Sequence, residues 1–274
     1  MSRHLTRLIC CLLTLAALAV HGRQLIVSVD GEFRSIRGAI KKANPGDEIL
    51  IRSGVYREHG LVIDRTLSLT GETGAVIDGE KAGTILEVRA DDVSITGLTL
   101  INVGKSYTKE YAAILVHRSN GFVIESNTLR NVFFGILVEK SHHGLITGNK
   151  VSSQAVDEAG SGNGIHMWHC SEIDVHGNVV RNLRDGIYLE FVSKSEIREN
   201  LSTDNIRYGL HFMFSNENTY HHNVFRANGA GVAVMFSRYV TMSENVFEMN
   251  WGSASYGLLL KEIYDAEVVD NTFR

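Results

Sequence analysis

The sequence is short of two residue types that constrain how a chain folds. It contains a single proline, Pro45, and three cysteines in 274 residues. Proline cannot donate a backbone hydrogen bond within a sheet, so its scarcity permits long stretches of uninterrupted sheet. Cys10 and Cys11 lie near the N-terminus, which leaves Cys170 alone in the rest of the chain. If the N-terminal segment is removed, no intrachain disulfide can form, and stability has to come from packing.

The chain also lacks any run of like charges, and its formal net charge is −4. Proteins that bind nucleic acid usually carry a basic patch or stripe, so we expect no nucleic-acid partner. Glycine, in contrast, is abundant, with 26 residues.

The first 22 residues have the pattern of a secretory signal. Arg3 and Arg7 give a positive start, and residues 8–20 form an apolar run that is too short for a comfortable membrane span. This pattern predicts export and cleavage near Gly22. An uncleaved anchor is the alternative interpretation.

From residue 135 onward the sequence repeats itself, and each copy carries the same two marks. A glycine opens a short apolar strand, and an asparagine follows fourteen residues later. Both series advance by identical steps of 29, 22, 23, 22 and 26 residues. Periodicity of this length is typical of a solenoid, in which each repeat buries its apolar face only when its neighbours stack on it. The marks are Gly135, Gly164, Gly186, Gly209, Gly231 and Gly257, and Asn149, Asn178, Asn200, Asn223, Asn245 and Asn271.

The N-terminal part predicts how this solenoid begins. Residues 33–43 place apolar side chains on one helical face, and short alternating segments follow. We expect a helix that caps the open end of an all-β solenoid. The predicted organisation is a signal peptide over 1–22, a cap helix with the first strand over 23–58, and repeats over 59–274. The chain ends within a repeat and without a polar cap, which predicts an uncapped C-terminal end and an N-terminal fragment of a longer protein.

Alternation along each strand predicts which side chains face the core. The first and third residues after each glycine are apolar and should point inward, whereas the second and fourth should point outward. The asparagines should stack as a ladder at a turn. Function is therefore expected among the outward positions.

Three outward residues form a predicted cluster: His211, Met213 and Met235. Neighbouring coils lie about 4.8 Å apart, so these side chains should form a compact triangle, with His166 two coils away as support. Thioether and imidazole ligands suit Cu(I) far better than hard divalent ions. Two other interpretations remain open: a protein-docking patch, or a face covered by a loop or by a C-terminal segment.

Two other sets of residues are weaker candidates. His169 falls in a column that is phenylalanine in the next three coils, so packing is expected rather than metal binding. Glu139 and Glu190 are outward acids about 9.6 Å apart by strand spacing, just outside the range of an inverting carboxylate pair. Arg184 and Arg207 should stack on successive coils, and Asp185 is the expected partner, with Asp204 or Glu190 as alternatives. No catalytic residues and no organic cofactor are predicted.

Several segments resemble the NosD family of periplasmic proteins that assist the maturation of nitrous oxide reductase. The N-terminal pieces ANPGDEILIRSGVYRE (43–58) and GAVIDGEKAGTILEVRADDVSITGLTL (74–100) are shared by many right-handed β-helix proteins of the pectin-lyase type. The repeat pieces are more specific. They are GNGIHMWH (162–169), RDGIYLEFVSKSEIREN (184–200), IRYGLHFMFSNEN (206–218) and GAGVAVMFSR (229–238).

The resemblance implies a right-handed parallel β-helix in the periplasm. It also implies a non-enzymatic assembly factor that helps deliver copper, or sulfur, to the copper–sulfur centre of nitrous oxide reductase. The implied partners are an ABC-type ATPase and its permease, a copper chaperone and the reductase itself. The alternatives are a carbohydrate-active β-helix enzyme of the polyuronate lyase or epimerase type, and a structural docking scaffold.

Overall fold

The protein is a parallel β-helix. The computed structural model describes residues 22–106, 108–252 and 256–274. Within these residues the strands form three parallel sheets of eleven, nine and ten strands, and each coil adds one strand to each sheet. The predicted all-β solenoid is confirmed. The predicted signal peptide lies outside the described residues, apart from its last position.

The three sheets are named here by the order in which the chain first enters them at its N-terminal end. The first sheet holds Gln24–Val27, Glu48–Ile51, Ser68–Gly71, Ser94–Thr96, Val123–Glu125, Leu145–Thr147, Asp174–His176, Glu196–Arg198, Thr219–His221, Thr241–Ser243 and Glu267–Val269. The second sheet holds Gly54–Arg57, Ala75–Asp78, Thr99–Ile101, Thr128–Arg130, Lys150–Ser152, Val179–Arg181, Leu201–Thr203, Val224–Arg226, Val246–Glu248 and Thr272–Phe273. The third sheet holds Leu61–Ile63, Leu86–Val88, Ala112–His117, Phe134–Glu139, Ile165–Trp168, Asp185–Glu190, Tyr208–Met213, Ala230–Met235 and Leu258–Lys261.

The described residues contain one α-helix, Ile36–Lys42, at the start of the solenoid. The Ser35 side chain caps its N-terminus by accepting a hydrogen bond from the Gly38 N–H. The Glu58 carboxylate accepts two further N–H groups of the first turn, at 2.7 and 3.0 Å. An anion is favourable at this end of a helix. The helix buries one face against the first coils, as a cap should.

The helix is shorter than the predicted apolar face because its two ends are held in extended structure. Phe33 forms a parallel bridge with Val27, and Ala43 has extended backbone angles. Within the described residues, no helix is long and apolar enough to cross a membrane.

The core is a continuous column of apolar side chains enclosed by the three sheets. The first and third residues after each repeat glycine lie in it, as predicted, in the coils from 135 to 235. They are Ile136, Val138, Ile165, Met167, Ile187, Leu189, Leu210, Phe212, Val232 and Val234, and each is fully buried.

The repeat glycines are required by packing. Their backbone angles are not left-handed, so conformational freedom is not the reason for them. A Cβ added at Gly186 would lie 2.0 Å from the Ser202 Oγ, and one at Gly209 would lie 2.7 Å from the Gly231 carbonyl oxygen. The glycine column therefore lets the third sheet approach the interior and the next coil closely. Many tight corners of the coils are made by non-glycine residues with positive φ, such as Phe191 at 53° and Phe214 at 52°.

The predicted asparagine ladder is confirmed, and it begins one coil earlier, at Asn127. Each Nδ2 donates to the Oδ1 of the asparagine in the next coil at 3.0 Å. The same Oδ1 accepts the backbone N–H of the preceding asparagine. Each side chain thus ties two coils together at a buried turn.

A second, shorter ladder of asparagines was not predicted. Asn205 Nδ2 donates to Asn228 Oδ1 at 2.9 Å, and Asn228 Nδ2 donates to Asn250 Oδ1 at 3.2 Å. Three repeats at a second position were too few to stand out in the sequence. Asparagine side chains therefore link the last coils at two corners rather than one.

The ladder predicts a large cost for removing a central member. Asn200 accepts the Asn178 N–H and donates to the Val175 carbonyl and to Asn223. Asn200→Ala leaves several of these buried groups without partners, at roughly 1–3 kcal/mol each. We expect the free energy of unfolding to fall by about 3 kcal/mol or more in urea titrations followed by circular dichroism.

Asn44→Ala is the control, because Asn44 lies exposed in the turn after the helix. It should change the free energy of unfolding by no more than about 0.5 kcal/mol. Equal losses in the two variants would show that the ladder does not carry this stability.

Candidate functional site on the outer face of the third sheet

Two columns of side chains run along the outer face of the third sheet. They come from the second and fourth positions after the glycine, and strand register places their members side by side. The inner column is Leu115, Leu137, His166, Tyr188, His211, Ala233 and Leu259. The outer column is His117, Glu139, Trp168, Glu190, Met213, Met235 and Lys261.

The predicted direction of these side chains is correct, but the prediction that they face solvent is wrong for much of the inner column. His166 and His211 are only 6% and 4% exposed, and Leu137 and Ala233 are buried as well. The outer column, including Met213, is half-buried along most of its length. The face is therefore a covered surface.

Part of the cover comes from the residue before each glycine. Phe134 packs with Leu137, and Tyr208 lies 4.8 Å from His211 between ring centroids. Strict alternation would turn the residue before the glycine toward the core. The alternation of faces breaks at the glycine, and this break brings a third column onto the outer face.

Two insertions supply more of the cover. Residues of 106–110 and of 159–161 line one pocket of about 440 Å³ together with Phe134 and Arg184. Burial raises the pKa of the Glu110 carboxyl in this pocket, as does Glu139, while Arg184 partly opposes the shift. Two further segments leave the minimal repeat: the one at 105–110 includes Tyr107, and the one at 250–256 includes 253–255. These four residues lie outside the described ones.

The structure brings His211, Met213 and Met235 together on adjacent strands. Met213 and Met235 are register partners, and His211 lies two residues before Met213 on the same face. These separations are about 4.8 Å between strands and about 6.6 Å along a strand. Both His211 ring nitrogens are buried and have no hydrogen-bond partner. A buried imidazole whose nitrogens make no hydrogen bond, next to two thioethers, is a donor set that fits a soft monovalent cation.

His166 is not part of this triangle. The Tyr188 ring lies between the two imidazoles, with ring centroids 4.7 Å from His166 and 4.6 Å from His211. Burial and the adjacent Glu190 raise the pKa of Tyr188 to about 12, so a neutral phenol separates the two rings. The two histidines cannot share one metal ion in this arrangement.

His166 is itself a buried base without hydrogen-bond partners. Both of its ring nitrogens lack a partner, and so does the Asn163 side-chain nitrogen nearby on the chain. Burial, and secondarily the Arg184 charge, lower the pKa of His166 to about 3. The ring is therefore neutral at ordinary pH.

The predicted pairing of an arginine with Asp185 is confirmed. Arg207 contacts both carboxylate oxygens of Asp185, with Nε at 2.8 Å from Oδ1. The other stacked arginine, Arg184, donates instead to Asn163. Sequence reasoning missed that Asp185 also lies against His211, with Oδ2 3.6 Å from the His211 Nδ1. The break in alternation at Gly186 hid this contact.

Cys170 is unsuited to thiolate chemistry. Its Sγ is buried and lies 3.4 Å from two backbone carbonyl oxygens, of Val138 and Trp168. Burial raises the pKa of this thiol to about 11. The side chain therefore stays protonated and inaccessible at neutral pH.

His169 belongs to an exposed stack of rings at the corner of the coils. Its ring stacks on Phe191 at 4.6 Å, Phe191 stacks on Phe214 at 5.2 Å, and Phe214 stacks on Phe236 at 5.1 Å. We call these four residues the corner stack. The prediction that His169 packs in a corner column is correct.

The acids of this face do not form a pair flanking a groove. Register places Trp168 between Glu139 and Glu190. The Glu139 Oε2 lies within hydrogen-bond distance of the His117 Nδ1, at 2.9 Å. Among the residues that the structure describes, no group of three or more His, Cys, Asp or Glu side chains is arranged to hold a metal ion.

Comparison with known proteins defines first a class of fold. A periplasmic alginate epimerase, AlgG, matches with a TM-score of 0.55 at 13% identity, over 83% of this chain and 77% of that one. A family 28 exopolygalacturonase of Yersinia enterocolitica matches with a TM-score of 0.64 at 12% identity, over 92% and 66%. Pectate lyase Pel9A matches with a TM-score of 0.58 at 13% identity, over 92% and 78%. At these identities the likeness shows a pectate lyase-like β-helix and nothing of activity.

Sequence comparison is more specific. Residues 148–274 match a family model described as periplasmic copper-binding protein (NosD). Two relatives, from Pseudomonas aeruginosa and Stutzerimonas stutzeri, are both named probable ABC transporter binding protein NosD. They are 35% and 34% identical over 127 and 126 residues, which is 46% and 45% of this chain. The resemblance to NosD predicted from the repeats is thus confirmed over residues 148–274. The match spans 30% and 29% of the length of the two relatives.

Burial of neutral His166 predicts a pH-dependent contribution to stability. The pKa falls from 6.5 for a free histidine to about 3 in the fold, so the native state binds fewer protons than the unfolded state between these values. The contribution is complete above pH 6.5 and is lost as the pH falls toward 3. We expect the free energy of unfolding to decline by a few kcal/mol more in the wild type than in His166→Leu over this range.

Leucine is the residue found at 137, one coil earlier in the same column, so His166→Leu should fold. His169→Phe is the matched control, since phenylalanine follows in that column. Urea titrations at pH 4 and pH 7 measure the effect. If His166→Leu and His169→Phe have the same pH dependence as the wild type, the assignment of the neutral base is wrong.

Proposed function

We propose that this protein is a periplasmic, non-enzymatic assembly factor of the NosD type that holds Cu(I) in transit to the copper–sulfur centre of nitrous oxide reductase. A copper chaperone is the proposed donor, the reductase the client, and an ABC-type ATPase with its permease the membrane partner. The observation that carries this proposal is the buried imidazole of His211 beside Met213 and Met235, whose ring nitrogens make no hydrogen bond.

The chemistry of this donor set supports a soft cargo. Cu(I) prefers thioether and imidazole donors, whereas Zn²⁺, Mg²⁺ and Ca²⁺ favour thiolate, carboxylate or carbonyl oxygen sets. Two thioethers and one imidazole include no anionic ligand, which suits a monovalent ion and weak, reversible retention. In the descriptions of its relatives, NosD is a copper-binding protein and an ABC transporter binding protein.

Copper is favoured over sulfur as the cargo by the state of Cys170. A sulfur carrier needs an accessible thiolate to form and release a persulfide. Cys170 is buried, its pKa is raised to about 11, and it is the one cysteine among the described residues.

A carbohydrate-active enzyme is not favoured by this face. Glu139 and Glu190 are separated by Trp168, and Asp185 is held by Arg207. Turnover of a polyuronate by the purified protein would nevertheless overturn the non-enzymatic part of the proposal, and ultraviolet absorbance of unsaturated products would detect a lyase.

The Cu(I) site is tested by removing its thioethers. Met213→Leu/Met235→Leu keeps the size and apolar character of both side chains but removes both sulfur donors. We expect the affinity for Cu(I) to fall at least about tenfold, the scale on which loss of even an outer partner weakens a metal site. Competition against a chromophoric Cu(I) chelator under reducing conditions measures this change.

Met249→Leu is the control, because Met249 is 57% exposed and follows a strand of the second sheet, away from the site. It should bind Cu(I) as tightly as the wild type. Wild-type affinity in Met213→Leu/Met235→Leu would show that copper, if bound, is held elsewhere.

A further inference from the structure

A buried carboxylate, that of Asp185, lies beside the proposed copper ligand His211. Asp185 is fully buried at the start of its strand, and its Oδ2 is 3.6 Å from the His211 Nδ1. Burying a carboxylate costs several kcal/mol unless charged or polar partners compensate for the lost hydration. A buried carboxylate in a solenoid therefore needs an explanation, either a function or a strong structural partner.

The carboxylate is held rigidly in its ionised form. The Arg207 guanidinium donates to both carboxylate oxygens, and the Tyr208 N–H donates to Oδ1 at 3.3 Å. A planar guanidinium contacting two carboxylate oxygens fixes their orientation as well as their charge.

The imidazole has little freedom to turn away from this carboxylate. The His211 ring stacks on Tyr188 with centroids 4.6 Å apart and planes at 22°, and Tyr208 lies against it at 4.8 Å. His211 is also almost fully buried. Close packing of this kind locks a side chain in one rotamer.

The position of the carboxylate selects one tautomer of the ring. With Nδ1 unprotonated, its lone pair would face the negative Oδ2 in a buried site where charges interact strongly. With the proton on Nδ1, the N–H dipole points at the carboxylate and the lone pair is on Nε2. In proteins the nitrogen that is not the metal donor is commonly held in this way, by a carboxylate or a carbonyl.

We propose that Asp185 is a positioning residue for His211, which keeps the ring proton on Nδ1 and leaves the Nε2 lone pair available to a soft monovalent cation. Arg207 in turn fixes Asp185. This inference rests on the proposed function for its ligand but not for the tautomer, which can be measured without any metal.

The alternative is that Asp185 and Arg207 form an ion pair that only fills the covered face. The two ideas differ in what happens to the imidazole. A purely structural pair contributes to the free energy of unfolding and leaves the tautomer of His211 undetermined. A positioning pair sets the tautomer and, through it, the affinity for Cu(I).

The experiment is nuclear magnetic resonance of the full chain with 15N-labelled histidine, followed by Cu(I) competition on the same samples. In the metal-free wild type we expect the His211 Nδ1 to have the chemical shift of a protonated nitrogen and Nε2 that of an unprotonated one. Asp185→Asn should shift this pattern toward the other tautomer and lower the affinity for Cu(I) by roughly 10–100-fold. Arg207→Gln, which keeps the carboxylate but frees it, should have a smaller effect of the same kind.

Asp174→Asn is the matched control. Asp174 Oδ1 lies 2.9 Å from the His176 Nδ1 on the first sheet, so this variant breaks a similar pair outside the site. It should leave the His211 signals and the affinity for Cu(I) unchanged.

The outcomes separate the two proposals. A wild-type His211 protonated on Nε2 overturns the positioning role, and this result needs no variant to fold. An unchanged tautomer and affinity in Asp185→Asn overturn it as well. If Asp185 sets the tautomer but the wild type does not bind Cu(I), the positioning role stands and the copper function falls.

Discussion

Coil-to-coil hydrogen bonding is the constraint on which every other feature of this molecule depends. Backbone bonds set a repeat of about 4.8 Å along the axis, and the buried asparagine ladder repeats the same bond with side chains at 3.0 Å. Because all coils share one register, residues 22 or 23 positions apart become neighbours. A site here is therefore a column of single residues from successive coils. This is why the proposed ligands His211 and Met235 lie on adjacent strands although no local motif contains both.

Much of this arrangement follows from the sequence. The parts that could not be predicted share one cause. The inward and outward columns, the asparagine ladder and the Arg207–Asp185 pair all follow from period and alternation. The burial of His211 does not, because it depends on insertions and on the break in alternation at the glycine. The contact between Asp185 and His211 depends on the same break. The repeat pattern predicts the features that all coils share. The candidate site lies where individual coils depart from that pattern.

The outer face also explains how one scaffold can serve unrelated chemistries. The β-helices similar in structure include an epimerase, a polygalacturonase and a lyase, yet the likeness is confined to the backbone architecture. In this chain that face carries imidazoles, thioethers and phenols beside the carboxylates Glu139 and Glu190, and the fully buried Asp185 is paired with Arg207.

The corner stack has a consequence for what can touch this edge of the solenoid. Sugar rings commonly bind aromatic side chains by lying flat on them, through the same faces that take part in ring stacking. Phe191 and Phe214 have their planes 9° apart and stack on neighbours in both directions, so both faces of each ring are already occupied. Only the hydrogen-bearing rims of these two rings are open to the outside. A polysaccharide along this corner would therefore have no open ring face of Phe191 or Phe214 to stack on, although the aromatic column in the sequence resembles a sugar-binding row.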